Sequence, residues 1–229
     1  MNITKKINAI MDWLYCEIPK DSKVLVPVSG RSDSALCFWL CSQAVSIKTQ
    51  GVYIGKSENL LELEWFRKTG SLCIEPPLIP DLFPNQAEIL RWAHFQMIAQ
   101  LSKRVLIGSR NHTEDILGTY SLASRVATHL PIIGLWKSEV LEMCEHIGMP
   151  KEIIEASSLS DPNCGRPAEL ASIPIKAIDS FCMAVRCQSS ENISWNNYVD
   201  LSNVPIPYLL GIREQNFFKR SLPKHGPIV

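Results

Sequence analysis

The sequence predicts an α/β fold, a doubly wound parallel sheet with helices on both faces. Three observations point there. Short Val- and Ile-rich runs without polar alternation recur along the chain, as in strands covered on both faces. Helical stretches separate them at the spacing of βαβ units. Two polar clusters, "SGRSDS" (29–34) and "GSRNHTE" (108–114), stand directly after two of those runs, where open α/β sheets carry their ligand loops.

The first element is a helix. Ile3, Ile7, Ile10, Met11 and Leu14 recur at helical spacing, and Asp12 interrupts the apolar run with no small-residue cleavage site after it, unlike a secretory signal. Lys23–Val28 reads as the first strand, and Ser34–Ala44 as the helix behind it. Gly51–Ile54 reads as a second strand, followed by a helix in "ENLLELEWFRKTG" that ends at Gly70. The stretch "IEPPLIPDLFPN" (74–85) is too rich in Pro for helix or central strand, so a loop is expected, with Asn85 as a candidate cap. A long helix over Gln86–Leu101 follows, then Arg104–Gly108 as the third buried strand. "LPIIGLWKSEVLEMCEHIGMP" holds a turn, a helix from about Ser138 to His146, and a stop at Gly148-Met149-Pro150. From Ser157 onward Pro, Ser and Asn rise; a helix is expected near Ile175–Arg186, and "NVPIPYLLG" reads as irregular. Residues 1–229 are expected to form one domain with a peripheral C-terminal segment over 188–229.

Composition bounds the function. With 229 residues the chain can bury a large core, and its formal net charge of zero gives no global field toward nucleic acid or an anionic membrane, so neither partner is expected. None of the eight cysteines stands in a C-x-x-C pair, and most sit in apolar runs such as "ALCFWLC". Buried free thiols in a reducing cytoplasm fit better than disulfides or a zinc site. The apolar window around Ala35–Leu40 is far shorter than the roughly 20 residues a membrane span needs. A soluble cytoplasmic protein is expected.

"SGRSDS" is not a Walker loop, because the G-x-x-x-x-G-K-[ST] spacing is absent. Its small residues let backbone N–H groups and hydroxyls approach an anion at a helix start. Asp33 inside such a loop repels phosphate unless a divalent cation lies between them. The alternative is an ordinary strand–turn–helix capped by Asp33 or Ser34. The residues alone leave both readings open.

"VSGRSDSA" resembles the S-G-G-x-D-S loop of the N-type ATP pyrophosphatases, which split ATP into AMP and pyrophosphate on an adenine nucleotide alpha-hydrolase-like fold. "LIGSRNHTEDILGTYS…LPIIGLWKSEVLEMCEHIGMPKEII" resembles the ammonia-dependent NAD synthetase pattern G-T-x-N-x-x-E, G-Y-x-T, P-I-x-x-L-x-K and a helix ending L-G-x-P. "SIPIKAID" and "FFKRSLPKHGP" extend the likeness over nearly the whole chain. The resemblance implies ATP as co-substrate and Mg²⁺ held by Asp33 and Glu114, with Lys137 on a phosphate. It implies nucleotide contacts from Ser29, Gly30, Arg31, Ser32, Ser34, Ser109 and Ser158. Arg91, Arg125, Asp161 and Lys219 would face the carboxylate substrate. It also implies a homodimer, and ammonia taken free or from a separate glutaminase, since the chain has no room for an attached one. Simpler readings stand beside these: Glu114 as a first-turn acid, Lys137 as a solvated side chain near Glu139, and "NHTE" with His112 as a helix-start turn.

The departures from the pattern are uneven. Arg31 replaces the second Gly of the loop, with a side chain that disfavours positive φ and a guanidinium that can bind phosphate. Ser124-Arg125 replaces Gly-Asp, a charge reversal. Ile89 replaces an Arg, while Arg91 remains. In "SSLSDP" Asp161 persists but the hydroxyl shifts to Ser158 or Ser160, and of an acidic cluster beyond it Glu169 is left. The pyrophosphate half is mostly kept and the acceptor half altered, which suits a more anionic acceptor. The expectation is an ATP-dependent amide-forming ligase, NAD synthetase-like, that adenylates a substrate carboxylate and then transfers ammonia, with an acceptor that need not be nicotinate adenine dinucleotide. Two rivals remain: a related pyrophosphatase inserting sulfur into tRNA, with Cys164 as the loop thiol, and a non-catalytic nucleotide sensor.

Overall fold

The computed structural model describes residues 2–45, 48–78, 84–156, 167–187 and 205–220. In chain order the elements are α1 (Ile3–Glu17), β1 (Lys23–Pro27), α2 (Ser32–Ala44), β2 (Thr49–Ile54), α3 (Leu63–Thr69), β3 (Ser71–Glu75), α4 (Pro84–Leu101) and β4 (Arg104–Leu106). Then follow α5 (His112–Leu117), α6 (Lys137–His146), α7 (Lys151–Glu155), α8 (Ile175–Cys187), α9 (Ile206–Gln215) and α10 (Phe217–Arg220).

The strands form one parallel sheet in the order β3-β2-β1-β4. The chain therefore builds outward from β1 to β3, then crosses back to lay β4 on the other side of β1. That reversal opens a crevice at the carboxyl ends of β1 and β4, where ligands bind in sheets of this kind. Beyond β4 a parallel bridge from Ile107 to His129 covers the edge, with Thr128 N–H donating to the Leu106 carbonyl at 2.9 Å.

The sheet is covered on both faces. Val24 and Val26 pack with Phe38 and Leu40 of α2, Leu14 of α1 and Val140 and Met143 of α6. Leu25, Val52 and Leu106 point the other way, onto Trp92, Phe95 and Ala99 of α4. Burial on both sides explains why these strands read as continuous apolar runs. A third cluster joins α5, α8 and α9 through Leu117, Phe181, Val185, Leu209 and Ile212. No helix of the described residues is long and apolar enough to cross a membrane.

Several expectations are corrected. Ser71–Glu75 is a strand, so Arg104–Leu106 is the fourth strand and not the third; five residues at a half-buried sheet edge, running into prolines, carry little period-two signal. Helix α4 begins at Pro84, so Asn85 lies within the helix and does not precede it. Proline suits a helix start, because its missing N–H would be unpaired there in any case. Helix α2 begins at Ser32, placing Asp33 and Ser34 in its first turn; neither is its cap, which is Arg31. The stretch read as irregular holds α9, whose Leu209 and Ile212 are buried.

Candidate functional site

Strand β1 ends in the turn that starts α2, and Gly30 makes the bend at φ +81°. That left-handed angle favours glycine, and a Cβ added there would meet Leu60 Cδ1 at 3.1 Å. Arg31 sits at φ −117°, ordinary extended backbone, so the concern that its side chain opposes the loop's geometry is removed. Ser34 closes the turn. Its hydroxyl accepts from the Ser29 N–H at 3.0 Å, lies 2.9 Å from the Ser29 hydroxyl and donates to the Arg31 carbonyl at 3.1 Å.

Strand β4 runs into the second turn through Gly108, Ser109 and Arg110. Asn111, fully buried, caps α5: its side chain accepts from the Glu114 N–H at 2.9 Å, and the Asn111 N–H donates to Glu114 Oε2 at 3.2 Å. Glu114 is thus a first-turn acid in a reciprocal capping box, and it also lines the cavity beneath both turns. The Asn111 amide donates to Asp33 Oδ1 at 2.9 Å, so one side chain ties the two turns together.

Lys137 enters from α6. It is buried, and its ammonium donates to the Ser32 hydroxyl at 2.8 Å and to Asp33 Oδ2. The reading of a solvated lysine near Glu139 is overturned: Glu139 pairs with Lys6 and accepts from the Trp136 N–H at 2.9 Å. Burial of the lysine head without a carboxylate would be costly, which is why it seeks Asp33.

Ser29, Arg31, Asp33, Ser34, Arg91, Ser109, Glu114 and Lys137 line one cavity at the crevice between β1 and β4. Gly30 and Ser32 shape its loop. Arg125 does not line it; its guanidinium donates to the Tyr120 hydroxyl at 2.9 Å and to the Lys219 carbonyl. The Lys219 ammonium lies 6.0 Å from the Phe218 ring; Lys219 does not line the cavity, but its carbonyl accepts from the hydroxyl of Tyr120, which does. Ser158 and Asp161 lie outside the described residues, as do Ser160 and Cys164. His112 packs edge-on against Trp136 at 4.5 Å, and burial holds its pKa below the usual histidine range.

Further cavity residues were not singled out from sequence. Arg110 stands 4.2 Å over the Tyr120 ring, with its Nε 3.4 Å from Asp115 Oδ1, and lines the same cavity as Arg91. Arg91 itself pairs with Glu88 at 3.2 Å. The N-x-x-E spacing of Asn111 and Glu114 is a legible capping signal, but the role of Asn111 in reaching Asp33 required the fold.

Among the described residues no three of His, Cys, Asp or Glu gather as a metal cage. Asp33 and Glu114 are hard oxygen donors opening onto one cavity, a set that fits Mg²⁺, which takes one or two protein carboxylates and fills its shell with phosphate and water. Among the described residues zinc or another softer metal finds no matching ligands there. Thiols lie below the turns without facing a nucleophile's role: Cys37 Sγ approaches the Gly108 carbonyl at 3.9 Å and Cys144 Sγ the Ser32 carbonyl at 3.8 Å. Burial pushes the Cys144 thiol up to about 12 and Cys37 well above its ordinary range.

Comparison with known proteins agrees with this architecture. The family model described as NAD synthase matches residues 85–223. An NH(3)-dependent NAD(+) synthetase from Wolinella succinogenes is 28% identical over 183 residues, 70% of this chain and 71% of that protein. The solved NH3-dependent NAD synthetase from Campylobacter jejuni, in complex with the nitrate ion, shares the fold at a TM-score of 0.74 and 19% identity, over 99% of this chain and 100% of that one. The NMN synthetase from Francisella tularensis does so at a TM-score of 0.76 and 17% identity, over 100% of both chains.

Proposed function

The chain belongs to the NAD synthase family, and from that premise we propose that it is an ATP-dependent amidating ligase acting on the carboxylate of a nicotinate nucleotide. The observation that carries this reading is the convergence of Asp33, Glu114 and Lys137 on one cavity at the crevice between β1 and β4.

In the proposed reaction a substrate carboxylate oxygen attacks the α-phosphorus of ATP in line. The bond from that phosphorus to the bridging oxygen breaks, and its electron pair leaves with pyrophosphate. Ammonia then attacks the acyl carbon of the adenylate, the C–N bond forms, AMP departs with the former carboxyl oxygen, and the surplus proton passes to solvent. The chain's part is to position the reactants and to neutralise charge. The Ser29–Ser34 turn, braced by its own serine hydroxyls, presents backbone N–H groups at the start of α2 to the phosphates, with Gly30 permitting their close approach. Arg31 adds a guanidinium from the same turn. Lys137 has three N–H donors, of which Ser32 and Asp33 take two, leaving one to reach a phosphate oxygen. Asp33 and Glu114 would hold Mg²⁺, whose chemistry here is to offset the negative charge on the leaving pyrophosphate.

For the acceptor, the relatives' names specify nicotinamide nucleotides as products: NAD in one case and NMN in the other. Arg91 and Arg110 on the cavity wall, together with the loss of acids from the acceptor half, suit an acceptor with a terminal phosphate monoester, as in a mononucleotide. Arg125, Lys219, Ser158 and Asp161 belong to the same proposed acceptor and nucleotide surroundings by resemblance. A homodimer is proposed as well; α4 exposes Ile89, Met97 and Leu101, which with Ala93 form a four-residue ridge of apolar side chains.

The test is direct. Purified protein is given ATP, Mg²⁺ and ammonium with either the nicotinate dinucleotide or the mononucleotide, and AMP and amide are quantified. Acceptor-dependent, equimolar AMP and amide are expected, with the mononucleotide preferred. Robust preference for the dinucleotide would overturn the altered-acceptor part, and no AMP with either would overturn the ligase reading.

A further inference from the structure

We infer that Asp179 is a positioning residue for this site, setting from behind the cavity wall the places of Glu114 and Lys137. It lies on α8, 2% exposed, and does not itself line the cavity. Both carboxylate oxygens are engaged: Oδ1 accepts from the Thr113 hydroxyl at 2.5 Å and Oδ2 accepts from the Ser138 N–H at 2.8 Å. The Thr113 oxygen in turn accepts from the Lys137 N–H at 2.9 Å. Thr113 precedes Glu114 in α5, and Ser138 follows Lys137 in α6. One buried carboxylate therefore fixes two helix starts to each other, each bearing a side chain that faces the cavity.

The start of α6 explains why a residue from another helix is needed. Its cap position is Trp136, whose side chain makes no capping bond to the helix. The first N–H groups of a helix require outside acceptors, and here Thr113 and Asp179 supply them. The carboxylate thus meets α6 at its N-terminal, positive end, a complementary contact for an acidic side chain. Helix α8 is held in turn by the cluster of Phe181, Cys182, Val185, Leu209 and Ile212, while its Ile175 and Ile178 form part of the cavity wall. The α8–α9 unit is thereby a structural arm of the site, and a shift at its Asp179 displaces the Lys137 ammonium relative to Asp33.

The inference rests on the proposed roles of Glu114 and Lys137, so its experiment carries an arm independent of turnover. Asp179→Ala, Asp179→Asn and Ser138→Pro are compared with the wild type by amide hydrogen exchange and by calorimetric binding of Mg²⁺–ATP. Asn can accept from the Ser138 N–H and donate to Thr113, keeping the geometry without the charge. Proline removes the Ser138 N–H at a first-turn position that tolerates it and also presses on the backbone of Lys137 before it, so unchanged affinity in this variant is a stringent result. Expected are loss of exchange protection at Lys137 and Ser138 in the Ala variant and a fall in ATP affinity of roughly ten-fold or more. Substantial rescue is expected in the Asn variant and a fall like that of Ala in the Pro variant. Where kinetics are measurable, kcat falls while the acceptor KM stays near wild type. Unchanged protection and affinity in the Ala variant overturn the inference; should that variant not fold, unchanged affinity in the Pro variant does so. A wild-type protein that binds no ATP counts against the functional reading, and the exchange arm then decides the inference alone.

Discussion

The ammonium of Lys137, at the start of α6, is bound to the carboxylate of Asp33, at the start of α2, with the Ser32 hydroxyl 2.8 Å from the same nitrogen. Their side chains are only 8% and 16% exposed, so this is a mostly buried pair. Two segments distant in sequence thus meet at the crevice through opposite charges, and each charge needs the other.

Removing one partner should cost more than removing both. Lys137→Met leaves Asp33 buried without its cation, a loss of roughly 3 kcal/mol. Adding Asp33→Asn should return part of that stability, with a coupling of about 1–3 kcal/mol in a double-mutant cycle. Urea unfolding of the four proteins measures it; strict additivity contradicts the pairing.

The turn between β1 and α2 gives opposite expectations at adjacent residues. Gly30→Ala forces a Cβ into a left-handed conformation beside Leu60, costing about 1–2 kcal/mol. Arg31→Gly makes no such demand, since Arg31 has extended backbone. It should fold as the wild type does but raise the KM for ATP about ten-fold, through loss of a guanidinium from the cavity wall. A lower KM would mean that Arg31 obstructs the nucleotide.

How far these features could be read beforehand depends on where their signal lies. Strand β1, the bend at Gly30 and the capping pair Asn111–Glu114 are local, so spacing and residue type expose them. Strand β3 was missed because its edge position gives five residues a half-buried pattern beside prolines. The setting of Lys137 was not local: only the crossover that lays β4 beside β1 brings α6 to Asp33. Asp179 left no signal, because in an amphipathic helix an acid facing two foreign helix starts looks the same as one facing water.

Helix α9 should be integral to stability. Leu209 is wholly buried among Leu117, Phe181 and Cys182, and Leu209→Ala should cost about 2–4 kcal/mol in denaturant unfolding. A cost within experimental error contradicts the packing of α9 on α5 and α8.

The buried thiols predict an alkaline limit. Burial raises Cys41 and Cys144 to about 12 and Cys37 and Cys182 well above their ordinary range. The unfolded chain then ionises first, binding fewer protons than the native one, so stability falls as pH rises above the ordinary thiol value of 9.0 toward about 12. Unfolding free energy measured across that interval should decline. Native-state alkylation should modify exposed Cys16 while sparing Cys37, Cys41, Cys144 and Cys182 until denaturant is added.

The central claim is that a carboxylate attacks ATP in the cavity between β1 and β4. The most direct measurement uses acceptor nucleotide labelled with ¹⁸O in its carboxylate, incubated with ATP, Mg²⁺ and ammonium, followed by mass spectrometry of the AMP. Transfer of one label into each AMP phosphate is predicted, with a rate loss of about 100-fold or more in Asp33→Asn and Glu114→Gln. Unlabelled AMP, or labelled AMP formed undiminished by both variants, would contradict the account.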